Sequence, residues 1–345
     1  MSENGSLPEA RASNPSESRS ESAPSPERSQ FKDRRIGLIA FGVLQLLIAL
    51  AFLAMGALQL LMAAGAHRFA AQGVPPASRS SLMLVGCLYL ALATVAAVLA
   101  IGSMRCRRWA RALNLVLSAL GLALGVVSVA TLVLFWPGMK DTLEGQMGGS
   151  QPGIAFVLGC MVVGMAFVYL IIPGAFVAFY RSRHVKATCE FYDPKTRWTD
   201  RVPLPVLAGS LLLLSGGAVV LTPAMGFGAP FFGWVATGIA SWIVVGILAL
   251  AALVCAWGLA RMHRWGWQGA LALTVFNGLN ALVSFGGTGL IDLFEQMRMP
   301  TEQIEAMTRM GVARWMTPMM AVSVGLMLTY YLWLGRYFKA ERGAL

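Results

Sequence analysis

GSMRCRRW (Gly102–Trp109) and GLARMHRW (Gly258–Trp265) fit one pattern: Gly, two residues, Arg, two residues, Arg-Trp. They stand 156 residues apart in a chain of 345. Each is a short basic break between two long apolar runs. Reading that break as a hairpin between membrane helices decides the fold.

The surrounding composition agrees. Hydrophobic residues make up 57% of the chain and charged residues 12%. A soluble domain carries roughly 25% charged residues. Eight apolar runs, near 36–63, 82–103, 112–136, 154–180, 204–223, 232–259, 269–289 and 316–335, are each about twenty residues or longer. That length crosses roughly 30 Å of hydrocarbon as a helix, and helix is the spanning form open to isolated runs of this length. The fifth run is the weakest, since Pro205 opens it, Pro223 closes it and Gly209, Gly216 and Gly217 interrupt it.

Charge gives the orientation. Nineteen Lys and Arg fall on one side: the tail end (Arg28 to Arg35), the Arg105–Arg111 and Arg181–Arg201 segments, Arg261 and Arg264, and Arg336 to Arg342. Six fall on the other: Arg68, Arg79, Lys140, Arg298, Arg309 and Arg314. Lys and Arg accumulate in cytoplasmic loops, so both termini are expected in the cytoplasm. This asymmetry also accounts for the net charge of +11 and leaves no basic soluble face for nucleic acid.

A second match lies in the same order. Arg183-x-x-Lys186-Ala187 follows the fourth run, and Arg336-x-x-Lys339-Ala340 follows the eighth, 153 residues on. Two matches in order predict an all-α polytopic membrane protein: eight transmembrane helices as two parallel four-helix repeats. The expected divisions are a disordered cytoplasmic tail over 1–34, a first unit over 35–190 and a second over 191–345. The tail is dense in Ser, Pro and Glu and has too little apolar surface to offset its ordering entropy.

In each hairpin, Gly102 and Gly258 are read as helix terminators. Arg105, Arg108, Arg261 and Arg264 complement the helix's negative end and anionic headgroups. Trp109 and Trp265 set the depth at the interface. With Trp109-Ala110-Arg111, the first hairpin resembles one in several families of small bacterial four-helix membrane proteins. The resemblance covers the hairpin and the helix count and implies a bacterial cytoplasmic membrane, without an activity. The second copy departs from it at Trp265-Gly266-Trp267.

Chemistry is sparse. The runs contain no Asp, Glu, Lys, Arg or His, which disfavours proton-coupled transport and haem held within the bilayer. No zinc-protease, nucleophile-elbow, P-loop or dinucleotide motif is present. Asp292 and Glu295 read as a solvated face, and His184 with Cys189 offers two ligands where zinc needs three or four. Met297, Met299, Met307 and Met310 suit Cu(I) by softness but are also common fillers of helix faces. No catalytic residue, metal or cofactor is expected.

Small and polar residues inside the runs remain. Gly121 with Gly125, and Ala155 with Gly159, predict close helix approach. Asn114, Ser118, Asn277 and Asn280 are the candidates for a polar lining, or else for bonds between helices. The expected function is an interaction, assembly or membrane-organising role, with the lipid bilayer, other membrane proteins or a second copy as partners. The alternative is a facilitator for a small neutral or lipidic solute, passing between the two repeats.

Overall fold

A computed structural model describes residues 32–70, 79–147, 152–217, 223, 228–286, 290–297, 299, 301–309 and 311–339. The expected disorder of the tail concerns residues that, up to 31, lie outside these. Residues 32–34 are held: the Arg34 N–H donates to Thr188 Oγ1 at 3.1 Å, and Asp33 accepts from Arg35 N–H and from the Tyr192 hydroxyl.

The chain folds almost entirely into helices. In order they are α1 (Arg35–Ala70), α2 (Arg79–Met104), α3 (Arg108–Met147), α4 (Pro152–Ala166), a π turn (Phe167–Ile171) and α5 (Ile172–Arg181). A linker follows with α6 (Arg183–Tyr192) and α7 (Trp198–Arg201), and then α8 (Leu204–Gly216). An antiparallel hairpin of β1 (Ala229–Phe231) and β2 (Trp234–Ala236) comes next. The remainder is α9 (Gly238–Ala260), α10 (Arg264–Phe285), α11 (Leu290–Gln296), α12 (Thr301–Arg309) and α13 (Val312–Lys339).

Among the described residues, seven helices are long and apolar enough to cross a membrane: Arg35–Gly65, Arg79–Met104, Arg108–Lys140, Phe156–Arg181, Gly238–Ala260, Arg264–Phe285 and Arg314–Phe338. The expected count was eight. The fifth run enters as α8, a helix of 13 residues, about 20 Å long at 1.5 Å per residue. Residues 218–222 and 224–227 of that run lie outside the described residues. Large apolar side chains on the long helices face outward, as Leu61 (70% exposed) and Ile239 (79% exposed) do. In water such surface is an aggregation hazard, and in hydrocarbon it is at home.

Within each half the neighbour order is the same: α1 on α2, α2 on α3 and α3 on α5, then α8 on α9, α9 on α10 and α10 on α13. The halves meet where α3 packs on α8. Val116 of α3 joins Val206, Leu207, Leu259, Ala270, Tyr331 and Leu334 in one apolar core.

The fourth crossing is irregular at Pro173. Pro173 has no N–H to give the Tyr169 carbonyl, and the π turn falls just before it. That carbonyl lies against Gly125 of α3, where a Cβ would collide with it, while Gly121 faces Pro173. The Gly121/Gly125 pair therefore makes the predicted close approach. Gly159 does not: a Cβ there meets nothing within 4 Å among the described residues.

Candidate functional site

The two basic breaks are built alike, bond for bond. Arg105 N–H donates to Ile101 O at 3.0 Å, Cys106 to Ser103 O at 2.9 Å, and Arg107 to Gly102 O at 2.9 Å. Shifted by 156, Arg261 donates to Trp257 O at 3.0 Å, Met262 to Leu259 O at 2.9 Å, and His263 to Gly258 O at 2.9 Å. This is a left-handed helix cap, closed by one bond spanning six residues and one spanning four.

The left-handed position is not glycine. Cys106 (φ 53°) and Met262 (φ 59°) occupy it. Gly102 and Gly258, expected as terminators, stand four residues earlier and let two helices touch. A Cβ on Gly102 would strike the Trp109 ring and the Ala110 methyl, and one on Gly258 would strike the Trp265 ring and the Gly266 Cα. Ala110 and Gly266 are equivalent positions.

The expected anchors divide. Arg105 and Arg261 are exposed, and the Arg261 guanidinium lies 5.6 Å above the Trp257 ring. Trp265 is exposed, stacked on His263 at 5.9 Å, whereas Trp109 is half-buried against Gly102. Arg264 is half-buried at the start of α10. Arg108 turns to protein instead of headgroups: its guanidinium donates to Glu190 O at 3.3 Å and its backbone N–H to Asp193 Oδ2 at 3.4 Å. Asp193 also accepts from Arg107 at 3.3 Å and has Arg197 at 3.9 Å, with its side chain 2% exposed. The carboxylate thus sits against the positive N-terminus of α3 and ties the linker over the first hairpin. Beneath it Cys106 and Cys189 share an apolar cluster with Leu38, Phe176, Tyr180 and Val185. Burial pushes both thiols up, Cys189 to about 12, helped by the neighbouring Cys106 and opposed by Arg111. They are inert protonated thiols at neutral pH. Cys189 is directed into the fold and forms no site with His184.

Asn114 lies in a buried polar set with one member on each helix of the first half. Gln45 (α1) donates to Asn114 (α3) at 2.8 Å, and Ser103 (α2) bonds the Tyr180 hydroxyl (α5) at 2.6 Å and Leu38 O at 3.3 Å. Gln45 Oε1 and Asn114 Nδ2 remain buried without a partner. At the matching positions of the second half, Leu259 replaces Ser103 and Ala270 replaces Asn114, both fully buried in the apolar core. Removing one amide strands the other, which costs about 1–3 kcal/mol, while removing both leaves nothing stranded. Asn114→Leu is therefore expected to lower thermal stability, and Gln45→Leu/Asn114→Leu to restore most of the loss in a double-mutant cycle. Ser118 is half-buried and joins neither this set nor the cavity described next.

Asn277 and Asn280 line a half-open cavity of about 580 Å³ whose described walls come from α8, α9, α10, α13, the β-hairpin and Met297. It belongs to the second half alone. The polar residues of the two halves do not converge, and the junction between halves at α3 and α8 is apolar. Asn280 holds the hairpin: its Oδ1 accepts from Phe232 N–H at 2.6 Å and its Nδ2 donates to Pro230 O at 3.1 Å. Ser284 Oγ accepts from Gly233 N–H at 3.2 Å. Phe231 and Phe232 rest on Phe276, nine residues before the end of α10. The hairpin thus reaches about 13 Å down the helix from that end, at 1.5 Å per residue. Non-helical backbone at such depth survives where its polar groups are satisfied by protein.

On the same side Met297, Met299, Met307 and Met316 pack with Phe285 around buried Phe294 and Ile304. The short helix α12 turns Ile304 into this cluster. Met310 lies outside the described residues. Among the described residues no three or more His, Cys, Asp or Glu gather as a metal site.

Gln45, Ser103, Tyr180 and Asp193 were not among the candidates. Gln45 carried a visible signal, as the lone amide in the first stretch of its run. Asp193 carried none, because its role depends on the linker folding back. Compared with protein-family models, curated proteins and solved structures, the chain has no match.

Proposed function

We propose that the chain is a multi-pass protein of the bacterial cytoplasmic membrane with an interaction, assembly or membrane-organising role. In this reading it is not an enzyme, holds no cofactor and binds no nucleic acid. Both termini are cytoplasmic. The fold is eight crossings, made by tandem duplication of a four-helix unit, with α8 and the segment after it as the fifth. The identical caps and the repeated neighbour order support the duplication. The position of α8 on the cytoplasmic half of α13, through Tyr331 O–H to Gly209 O at 2.9 Å, and of the hairpin at the far end of α10 supports the eighth crossing.

One observation carries the role: the linker is a fixed platform of bases and aromatics. Asp193 and the Arg34–Thr188 bond hold it down, and Phe191 (68% exposed), Tyr192 and Trp198 are exposed among Arg183, Lys195 and Arg201. Exposed aromatics interleaved with Lys and Arg at a membrane edge suit an anionic leaflet. The platform gathers anionic lipid around the cytoplasmic end of the bundle. Protein purified in mild detergent is expected to retain phosphatidylglycerol and cardiolipin. Arg183→Glu/Lys195→Glu/Arg201→Glu, at unchanged melting temperature, is expected to lose most of both. Equal retention overturns the reading. A second reading, passage of a small neutral or lipidic solute, is favoured by the cavity, and its route then lies within the second unit and not between the units.

A further inference from the structure

We propose that the cavity of the second half binds one molecule of an uncharged, single-chain amphiphile, a monoacylglycerol or fatty alcohol, whose hydroxyl group bonds to the Asn277 amide. This is independent of the role given to the linker.

The chemistry of the walls selects the ligand. The volume, about 580 Å³, lies within the range of small-molecule sites, roughly 300–1,000 Å³. Among the described lining residues there is no Asp, Glu, Lys, Arg or His. A charged headgroup would therefore be desolvated without a counter-ion, at a cost the site does not offset. Most of the wall is Leu, Val, Ala, Met and Phe, which accepts a hydrocarbon chain.

The polar groups at the wall are nearly all committed. Thr274 donates to Ala270 O and Ser323 to Met319 O, each at 2.8 Å. The Tyr331 hydroxyl donates to Gly209 O, and Asn280 is spent on the hairpin. Asn277 is the exception. It takes no hydrogen-bond partner among the described residues, and it is exposed although it sits in the interior of a membrane-spanning helix. A neighbouring helix does not cover it because it faces the cavity. An amide in that setting offers one acceptor and two donors, which a hydroxyl answers on both counts.

The β-hairpin adds Ala229 and Pro230 to the wall, and α8 adds Leu212, Leu213 and Gly216.

The test uses the full chain in phosphatidylglycerol nanodiscs, free of single-chain detergent, with a diazirine-bearing monoacylglycerol as photoprobe. Labelling is expected to concentrate on peptides 273–285 and 320–331. Asn277→Leu is expected to lower it about tenfold, the worth of one buried hydrogen bond near 1.4 kcal/mol. Ala281→Phe, which fills the cavity, is expected to abolish it. Excess monooleoylglycerol is expected to compete, and oleate at pH 9 and glycerol are not. Asn277→Leu conserves volume and reads the site if Ala281→Phe fails to fold; Asn277→Gln is expected to recover part of the labelling. Equal labelling of the outward faces of α1 and α2, indifference to Asn277→Leu, or competition by glycerol overturns the proposal.

Discussion

Gly266→Ala is expected to be strongly destabilising for the addition of a single methyl. The added Cβ would meet the backbone of Gly258 and Leu259, not the end of a flexible side chain. Backbone cannot swing aside, so α9 and α10 must separate at the turn that joins them. Overpacking of this kind costs about 1–3 kcal/mol or more. The separation would also loosen the cap in which Met262 is held at φ 59°. Gly159→Ala is the matched control: its Cβ meets nothing within 4 Å, and a helix gains up to about 1 kcal/mol on losing a glycine. Thermal unfolding in detergent is expected to show a large drop for Gly266→Ala and none for Gly159→Ala. If the two melt together, the turn is not held by backbone contact.

The second large effect is expected at Asp193. The carboxylate is buried, yet its partners Arg107 and Arg197 are about 40% exposed, so solvent screens part of each pair. Its value lies in doing three things at once: pairing Arg107, approaching Arg197 and accepting the Arg108 N–H at the start of α3. Asp193→Ala is expected to lose about 2 kcal/mol through stranded donors and the uncompensated helix end. The loss is local. The linker lifts, trypsin cuts within Arg183–Arg201, and Cys189, on the linker's inner face in the apolar cluster, becomes open to maleimide. Glu190→Gln, at an exposed side chain, is the control and is expected to leave both readouts unchanged. Unchanged cleavage and labelling in Asp193→Ala would mean that the apolar cluster alone holds the linker down.

Hydropathy carries the helical membrane architecture, because it is summed over twenty residues and tolerates local error. Two glycines in the right places carry the α3–α5 contact. The caps are a different matter. Gly102 and Gly258 mark each turn correctly but for another reason, since the left-handed residue is a cysteine in one and a methionine in the other. Periodicity cannot foresee this, because packing between helices sets it. Asn277 and Asn280 are three residues apart and line one cavity, as helical geometry requires, whereas their proposed partner Asn114 is bound to Gln45. One chain of 345 residues has many polar side chains on lipid-depth helices, and the sequence does not say which face of which helix they share. The short α8 was foreshadowed by Pro205, Gly216 and Gly217 within an otherwise apolar run.

The bonds that close the first half also bear on the order in which the protein is made. Gln45 with Asn114, Ser103 with Tyr180, Arg34 with Thr188, and Arg107 and Arg108 with Asp193 all join residues that precede Leu204, where α8 begins. A chain is delivered from its N-terminus, at about 5–20 residues per second. Gln45 enters the bilayer with its amide unmatched and waits some seventy residues for Asn114. Asp193 then arrives as the last piece of the first half. Before α8 has left the ribosome, every polar partner of the first half has been synthesised. The later helices, in which Leu259 and Ala270 stand where the first half has Ser103 and Asn114, are left to assemble against it.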